Sequence, residues 1–321
     1  KEIKVFLKKT VFLIPSLKAS VNQKKTTINK MSRQIVEKNE IIEVILEQTQ
    51  QYIEYYPFKK QTTVEKIKTN SSEYLLTKFR TGWLIHGKMA GQSSSYIDEY
   101  KNEIIIASGD GVFLYFSKKD LIENEFKARQ IKSNIKELVK YPEFYKRSHY
   151  GIKDLTIFKD KAFISYSNEL EEDCFNTSIL FADMNYKYLD FKEFFVPEDC
   201  VKKNNDYGEF HGHHSGGRIF PYKNNRMLFT VGEYRYRTHA QNDKNIFGKS
   251  LIIDIETAKW TILSKGHRNA QGLYYDSEND VILSTEHGPY GGDEINKIEL
   301  GKNYGWPISS YGTPYKCRDI F

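Results

Sequence analysis

Three times in this chain a glycine opens a short strand that passes through a polar turn into an apolar strand ending in serine or threonine. That recurrence constrains the fold more than any single segment. The copies run from Gly151-Ile152 to Phe163-Ile164-Ser165, from Gly217-Arg218 to Leu228-Phe229-Thr230, and from Gly272-Leu273 to Ile282-Leu283-Ser284. They stand roughly 55–65 residues apart, about the length of a four-stranded propeller blade with its loops. A two-sheet sandwich needs no such recurrence. From Glu73 onward the chain has room for about four such units, so the sequence predicts an all-β propeller domain over residues 73–321.

Other strands carry the same period-two pattern between Gly, Asn and Asp: Trp83-Leu84-Ile85, Glu103 to Ala107, Val112 to Phe116 and Leu155 to Phe158. The 23 Tyr and 20 Phe among 321 residues suit strand faces that stack large flat side chains. Residues 118–145 read as helix-like, an insertion between strands. Upstream, residues 1–72 form a separate leader segment. Within it Ile35, Val36, Ile41, Ile42, Ile45, Leu46, Tyr52 and Ile53 recur at helical spacing between Met31 and Tyr56, with Pro57 as a stop, which predicts an amphipathic helix. The apolar opening, Val5 to Ile14, is broken by Lys8 and Lys9 and is too short to span a bilayer. It reads equally as the remnant of a signal peptide or membrane tether and as a terminal amphipathic element; a homodimer is a separate expectation. Because the chain opens on Lys1 and stops at Phe321 just past a turn-rich stretch, it reads as a fragment truncated at its C-terminus.

The net charge of +6 comes from basic residues scattered singly among acidic ones, the pattern of solvated faces and not of a nucleic-acid site. Cys174, Cys200 and Cys317 lack metal-thiolate spacing. Cys174 and Cys200 flank two successive strands, Thr177 to Met184 and Leu189 to Val196, so a hairpin can join them as a disulfide in an oxidising compartment; two buried free thiols are an equal reading.

The chemistry-bearing residues gather late in the chain. Arg268, Asn269 and Gln271 in Gly266-His-Arg-Asn-Ala-Gln-Gly272 offer directed donors at a strand entrance, which suits a ligand rich in carboxylates and carbonyls. In the turn Gly288-Pro289-Tyr290-Gly291-Gly292-Asp293-Glu294, glycines free backbone carbonyls in front of two carboxylates, the hard oxygen set that calcium prefers; turn capping is the plainer reading. A third block, Asn303-Tyr304-Gly305-Trp306-Pro307, follows. Upstream, His211, His213 and His214 precede the turn Ser215-Gly216-Gly217-Arg218, with Glu233 on the next strand. As zinc ligands the histidines lack a matching acidic partner.

The order RNxQG, GPxGGDE, NYGWP resembles the soluble quinone-dependent aldose and glucose dehydrogenases. The resemblance covers roughly Gly151 to Thr313 and is specific from His213 onward. It implies a six-bladed propeller, incomplete here, that oxidises the C1 hydroxyl of aldose sugars to lactones with pyrroloquinoline quinone (PQQ) and calcium, outside the cytoplasm, passing electrons to an external acceptor. Carried over by position, His214 is the general base, Glu233 orients it where the family has Asp, Arg268, Asn269 and Gln271 contact PQQ, the carbonyls of Gly288 and Pro289 hold the bridging calcium, and Glu294 and Tyr304 belong to a second, structural calcium. The extra methylene of Glu233 puts its contact with the imidazole in question. Two other functions share this scaffold: a non-enzymatic, calcium-stabilised propeller that binds a partner protein, and a calcium-dependent lactone hydrolase, against which the RNxQG block argues.

Overall fold

The computed structural model describes residues 20–36, 38, 62–79, 95–122, 128–146, 148–205, 208–210 and 212–313. The chain divides into two compact units, Lys1–Tyr56 and Pro57–Phe321. In the first, residues 20–36 form a helix, α1, exposed on all sides. Its start lies ahead of the predicted Met31, because Val21 and Ile28 continue the apolar stripe of Met31 and Ile35 upstream. The rest of the predicted helix, the strand at Trp83, His211 and Cys317 lie outside the described residues. No helix among the described residues is long and apolar enough to cross a membrane.

The second unit opens with a hairpin, β1 (Thr62–Lys68) and β2 (Glu73–Phe79), paired from Thr62↔Phe79 to Lys68↔Glu73. Sequence reading leaves β1 as a polar stretch, since Val64 and Ile67 are its only large apolar side chains and both are exposed. Four larger sheets follow. The first orders β3 (Ser95–Tyr100), β4 (Glu103–Ser108), β5 (Phe113–Ser117) and β6 (Arg129–Ser133). The predicted insertion at 118–145 supplies short helices α2 (Lys118–Ile122), α3 (Ile135–Leu138) and α4 (Pro142–Lys146), but also β6, the outer strand of this sheet.

The second sheet orders β7 (Ile152–Phe158), β8 (Lys161–Glu171), β9 (Cys174–Asp183) and, after a short β10 (Tyr188–Leu189), β11 (Lys192–Phe195). Next come β12 (Val201–Lys202), which pairs with the start of β9, and a small hairpin, β13 (Asn204–Asn205) with β14 (Gly208–Glu209). The third sheet orders β15 (Gly216–Tyr222), β16 (Arg226–Val231), β17 (Lys249–Asp254) and β18 (Trp260–Lys265). The fourth holds β19 (Ala270–Asp276), β20 (Val281–Glu286) and β21 (Glu294–Ile298), followed by β22 (Lys302–Asn303).

The glycine-led repeats are the first two strands of the second, third and fourth sheets. First strands pack side by side, β3 on β7, β7 on β15 and β15 on β19, which is a four-blade propeller arrangement. Asp98 on β3 accepts from Ile157 N on β7 (2.5 Å), and Asp154 on β7 accepts from Ile219 N on β15 (2.9 Å). Arg218 on β15 donates to Asp154 (3.0 Å) and to the Gln271 carbonyl on β19, and lies 5.1 Å over the Tyr96 ring of β3. One guanidinium therefore reaches the first strand of each of the other three large sheets. Between the sheets, Phe113, Ile131, Phe163, Phe175, Phe229 and Leu251 belong to one continuous core.

Two short strands return to the preceding sheet. β10 runs parallel to β6 through Tyr188↔Lys132, and β22 runs parallel to β18 through Ser264↔Lys302. Cys174 and Cys200 form a disulfide with Cα atoms 5.4 Å apart. The route differs from the expected one: β11 pairs with the far end of β9, and it is β12 that brings Cys200 back to Cys174.

Candidate active site between the third and fourth sheets

The residues preceding β15 and following β16 meet at the end of the third sheet. His214 takes a left-handed backbone (φ 56), as does Tyr234 (φ 55). The His214 carbonyl accepts from Tyr234 N (3.0 Å), and the Ser215 carbonyl accepts from Gly232 N (3.0 Å) and Thr177 Oγ1 (2.8 Å). The approach leaves no room at residue 232, where a Cβ would lie 2.0 Å from the His214 carbonyl oxygen. Glycine there is what lets the two segments touch.

In that frame His214 Nδ1 stands 2.5 Å from Glu233 Oε1. A carboxylate can only accept, so Nδ1 carries the proton and Nε2 is the basic nitrogen. The longer side chain of Glu233 therefore still reaches the imidazole. Glu233 is 1% exposed, and its Oε2 has no hydrogen-bond partner among the described residues. Burial pushes the His214 pKa below its ordinary value, and the charges of Arg268 and Arg235 add to this against the upward pull of Glu233. With its pKa lowered, the imidazole is neutral at neutral pH and leaves Nε2 without a proton.

The predicted donor group sits against this pair. The Arg268 carbonyl accepts from Glu233 N (2.9 Å), and Asn269 Oδ1 accepts from Gly216 N (3.1 Å). Asn269 thus spends its oxygen holding the His214 turn, leaving its amide N–H groups as donors. Arg268, 8% exposed, donates from Nη1 to the His287 carbonyl (2.9 Å) and lies 5.4 Å over the Trp306 ring. Gln271, at the start of β19, lines a cleft on the fourth sheet with Thr285, His287, Asp293, Glu294 and Ile295.

The turn after β20 is tightly closed. Gly292 N donates to the Pro289 carbonyl (2.8 Å), and Asp293 caps Gly288 N (3.0 Å), so the capping reading holds for Asp293. A Cβ at Gly288 would lie 1.8 Å from the Gly292 carbonyl oxygen. Burial pushes the Glu294 carboxyl up, with the Glu286 charge adding to it, while Asn296 Nδ2 donates to it (2.9 Å). Tyr304 donates its hydroxyl to the Lys297 carbonyl (2.5 Å) and stacks on His267 at 4.8 Å. Among the described residues no three His, Cys, Asp or Glu side chains gather as a metal cage, the three histidines at 211–214 included as far as they are described.

Some participants escape sequence reading. His267 and Glu286 stand next to the motif residues yet carry no signal there, because their bonds go to each other and to backbone amides. Lys153 and Asp154 interrupt an apolar strand, and that interruption is the signal for them. His149 pairs its ring with His213 (4.2 Å) across a loop no spacing connects.

The sequence pattern described as Glucose / Sorbosone dehydrogenase matches residues 121–321, more than half of the chain. The chain belongs to that family. Among relatives, the aldose sugar dehydrogenase YliI of Escherichia coli is 34% identical over 117 residues, 32% of this chain and 32% of its own length. The chain's match thus spans about a third of that relative. A crystal structure titled glucose dehydrogenase superposes with TM-score 0.57 at 21% identity, covering 73% of this chain and 68% of the other. The PQQ-bound form of an aldose sugar dehydrogenase from Streptomyces coelicolor gives 0.52 at 17% identity, covering 79% and 69%. At those identities the two structures attest the fold alone, a β-propeller, in agreement with the four-blade arrangement of the sheets.

Proposed function

We propose that this chain forms the base-bearing part of a quinone-dependent sugar dehydrogenase that oxidises the C1 hydroxyl of an aldose to the lactone. The observation that carries the reading is the His214–Glu233 pair stitched through Glu233 N to the Arg268 carbonyl, which sets a free base and a buried cation on adjoining loops. Family membership and the names of the relatives support it.

Oxidising an alcohol to a lactone removes a proton from oxygen and a hydride from carbon. His214 Nε2 takes the hydroxyl proton, and the Glu233 carboxylate steadies the imidazolium that results. Arg268 presents fixed positive charge, which favours negative charge growing on a carbonyl oxygen held against it. PQQ, when bound, supplies a two-electron acceptor for the hydride, and an external acceptor would reoxidise it. The donor set fits such a ligand: Arg268 brings a fixed, buried positive charge, and the N–H groups of Asn269 and Gln271 are directed donors for carboxylates and quinone oxygens.

Calcium fits the next turn. The Gly288 and Pro289 carbonyls would offer hard oxygens to the calcium beside the quinone, and at the second, structural site a cation near Glu294 would relieve the burial and the Glu286 charge that raise its carboxyl. Tyr304 would join the second site from its place against His267. The Cys174–Cys200 disulfide supports an exported, oxidising location such as the periplasm.

The test is titration of the full-length protein with PQQ and calcium, following dye reduction with a panel of aldoses beside His214→Ala. Sugar-dependent reduction that needs both additions and vanishes in the variant supports the reading. Calcium binding without quinone uptake or turnover would overturn it and put the partner-binding propeller first.

A further inference from the structure

We infer that Glu286 is a positioning residue, whose carboxylate, oriented by His267 and Ser264, clamps the backbone amides that aim Arg268 and Asn269 into the site. Its functional meaning rests on the dehydrogenase reading; the clamp itself does not.

Glu286 ends β20 and is 7% exposed. Its Oε1 accepts from Arg268 N and from Asn269 N (3.3 Å), and its Oε2 faces His267 Nδ1 at 2.9 Å. Facing a carboxylate, Nδ1 carries a proton, and on the other side of the ring Nε2 shares a hydrogen bond with the Ser264 hydroxyl at 2.8 Å. Ser264 and His267 are both buried. The chain of bonds therefore links Ser264, His267 and Glu286, and three N–H donors converge on two carboxylate oxygens.

An amide cannot replace that carboxylate without loss. If the NH2 of a glutamine faces the backbone, donors meet donors. If it faces His267, it meets the Nδ1 proton instead of an acceptor, and the imidazole must give that proton up. Aspartate falls short by one methylene, about 1.5 Å, more than a hydrogen bond tolerates.

The clamp also crosses sheets. Glu286 belongs to the fourth sheet and Ser264 to β18 of the third, while Tyr304, stacked on His267, directly follows β22, which pairs with β18. The direction of Arg268 is thus fixed by how those two sheets meet, not by its own turn. Although Glu286 borders the cleft that Gln271 and His287 line, its oxygens are turned to the amides behind it.

The experiment uses the full chain with two readouts: amide hydrogen exchange at Arg268 and Asn269 without ligand, and PQQ affinity from quenching of intrinsic fluorescence. In Glu286→Gln both amides exchange faster and PQQ binds about 10–100-fold more weakly, with the melting temperature within a few degrees of wild type. Ser264→Ala, which removes one hydrogen bond, moves both readouts the same way by about 3–10-fold, and decides the matter if Glu286→Gln does not fold. The inference is overturned if these variants exchange and bind as wild type while Arg268→Ala loses PQQ. If wild type and Arg268→Ala take up PQQ equally poorly, the dehydrogenase reading falls, and the exchange rates alone still decide the clamp.

Discussion

Burial holds the His214 imidazole below its usual pKa although Glu233 pulls it up, so Nε2 is unprotonated at pH 7. The sign follows: turnover should be level at neutral pH and fall as the pH drops through a value under 6.5, where the base becomes protonated. Glu233→Gln removes the charge that raises that pKa, so the acid limb moves to still lower pH while kcat falls about 10²–10⁴-fold. A pH–rate profile of both proteins checks the two effects together, and an acid limb that stays put or moves up would contradict the assignment. Both residues are picked out in the sequence by the family resemblance, His214 from its place before the Ser-Gly-Gly-Arg turn and Glu233 from the position where the family has Asp; that the longer side chain still meets the imidazole is seen only in the structure. The Glu286 clamp is not, because its strongest bonds go to backbone amides that carry no residue identity.

At the scale of elements, the repeats expose three of the four inner hairpins, because a glycine followed by a short strand and an apolar one is a local pattern. The first sheet lacks that glycine, and β10, β12 and β22 are two residues each, too short for any period to register. Such short strands nonetheless decide covalent structure, since β12 is what returns Cys200 to Cys174 across a separation of 26 residues. Closing a loop of that size is worth about 2–4 kcal/mol. Cys174→Ala with Cys200→Ala should therefore unfold at lower denaturant with that loss, and wild type in excess reductant should match it. Equal midpoints for wild type and the double variant would show that the bridge adds nothing.

At the scale of the whole molecule, the inner strands are joined by buried charge. Lys153, donating to the His149 carbonyl, has its pKa lowered by burial to about 7, and Asp154 beside it is raised by burial to about 6 despite Arg218. The Lys153 contribution is complete only above its unfolded value of 10.5 and is lost as the pH falls through about 7. That of Asp154 is complete below 3.8 and is lost as the pH rises through about 6. Lys153→Met should thus raise the melting temperature near pH 7, by about 2–4 °C for each kcal/mol recovered, and flatten the rise in stability between pH 7 and 10. Calorimetry across that range checks it, and a variant less stable than wild type at pH 7 would refute the cost assigned to the buried ammonium.

The returning strands bear on how such a molecule can be cut and recombined. Because β10 completes the edge of the first sheet and β22 that of the third, a sheet is not self-contained in sequence: its last strand is supplied by its successor. A chimera or permutant spliced in the loop after Ser133 or Lys265 would strip that edge and leave its hydrogen-bonding groups bare. A unit that keeps the edge of the first sheet must instead run at least to Leu189, and one that keeps that of the third at least to Asn303, each carrying strands of the following sheet with it.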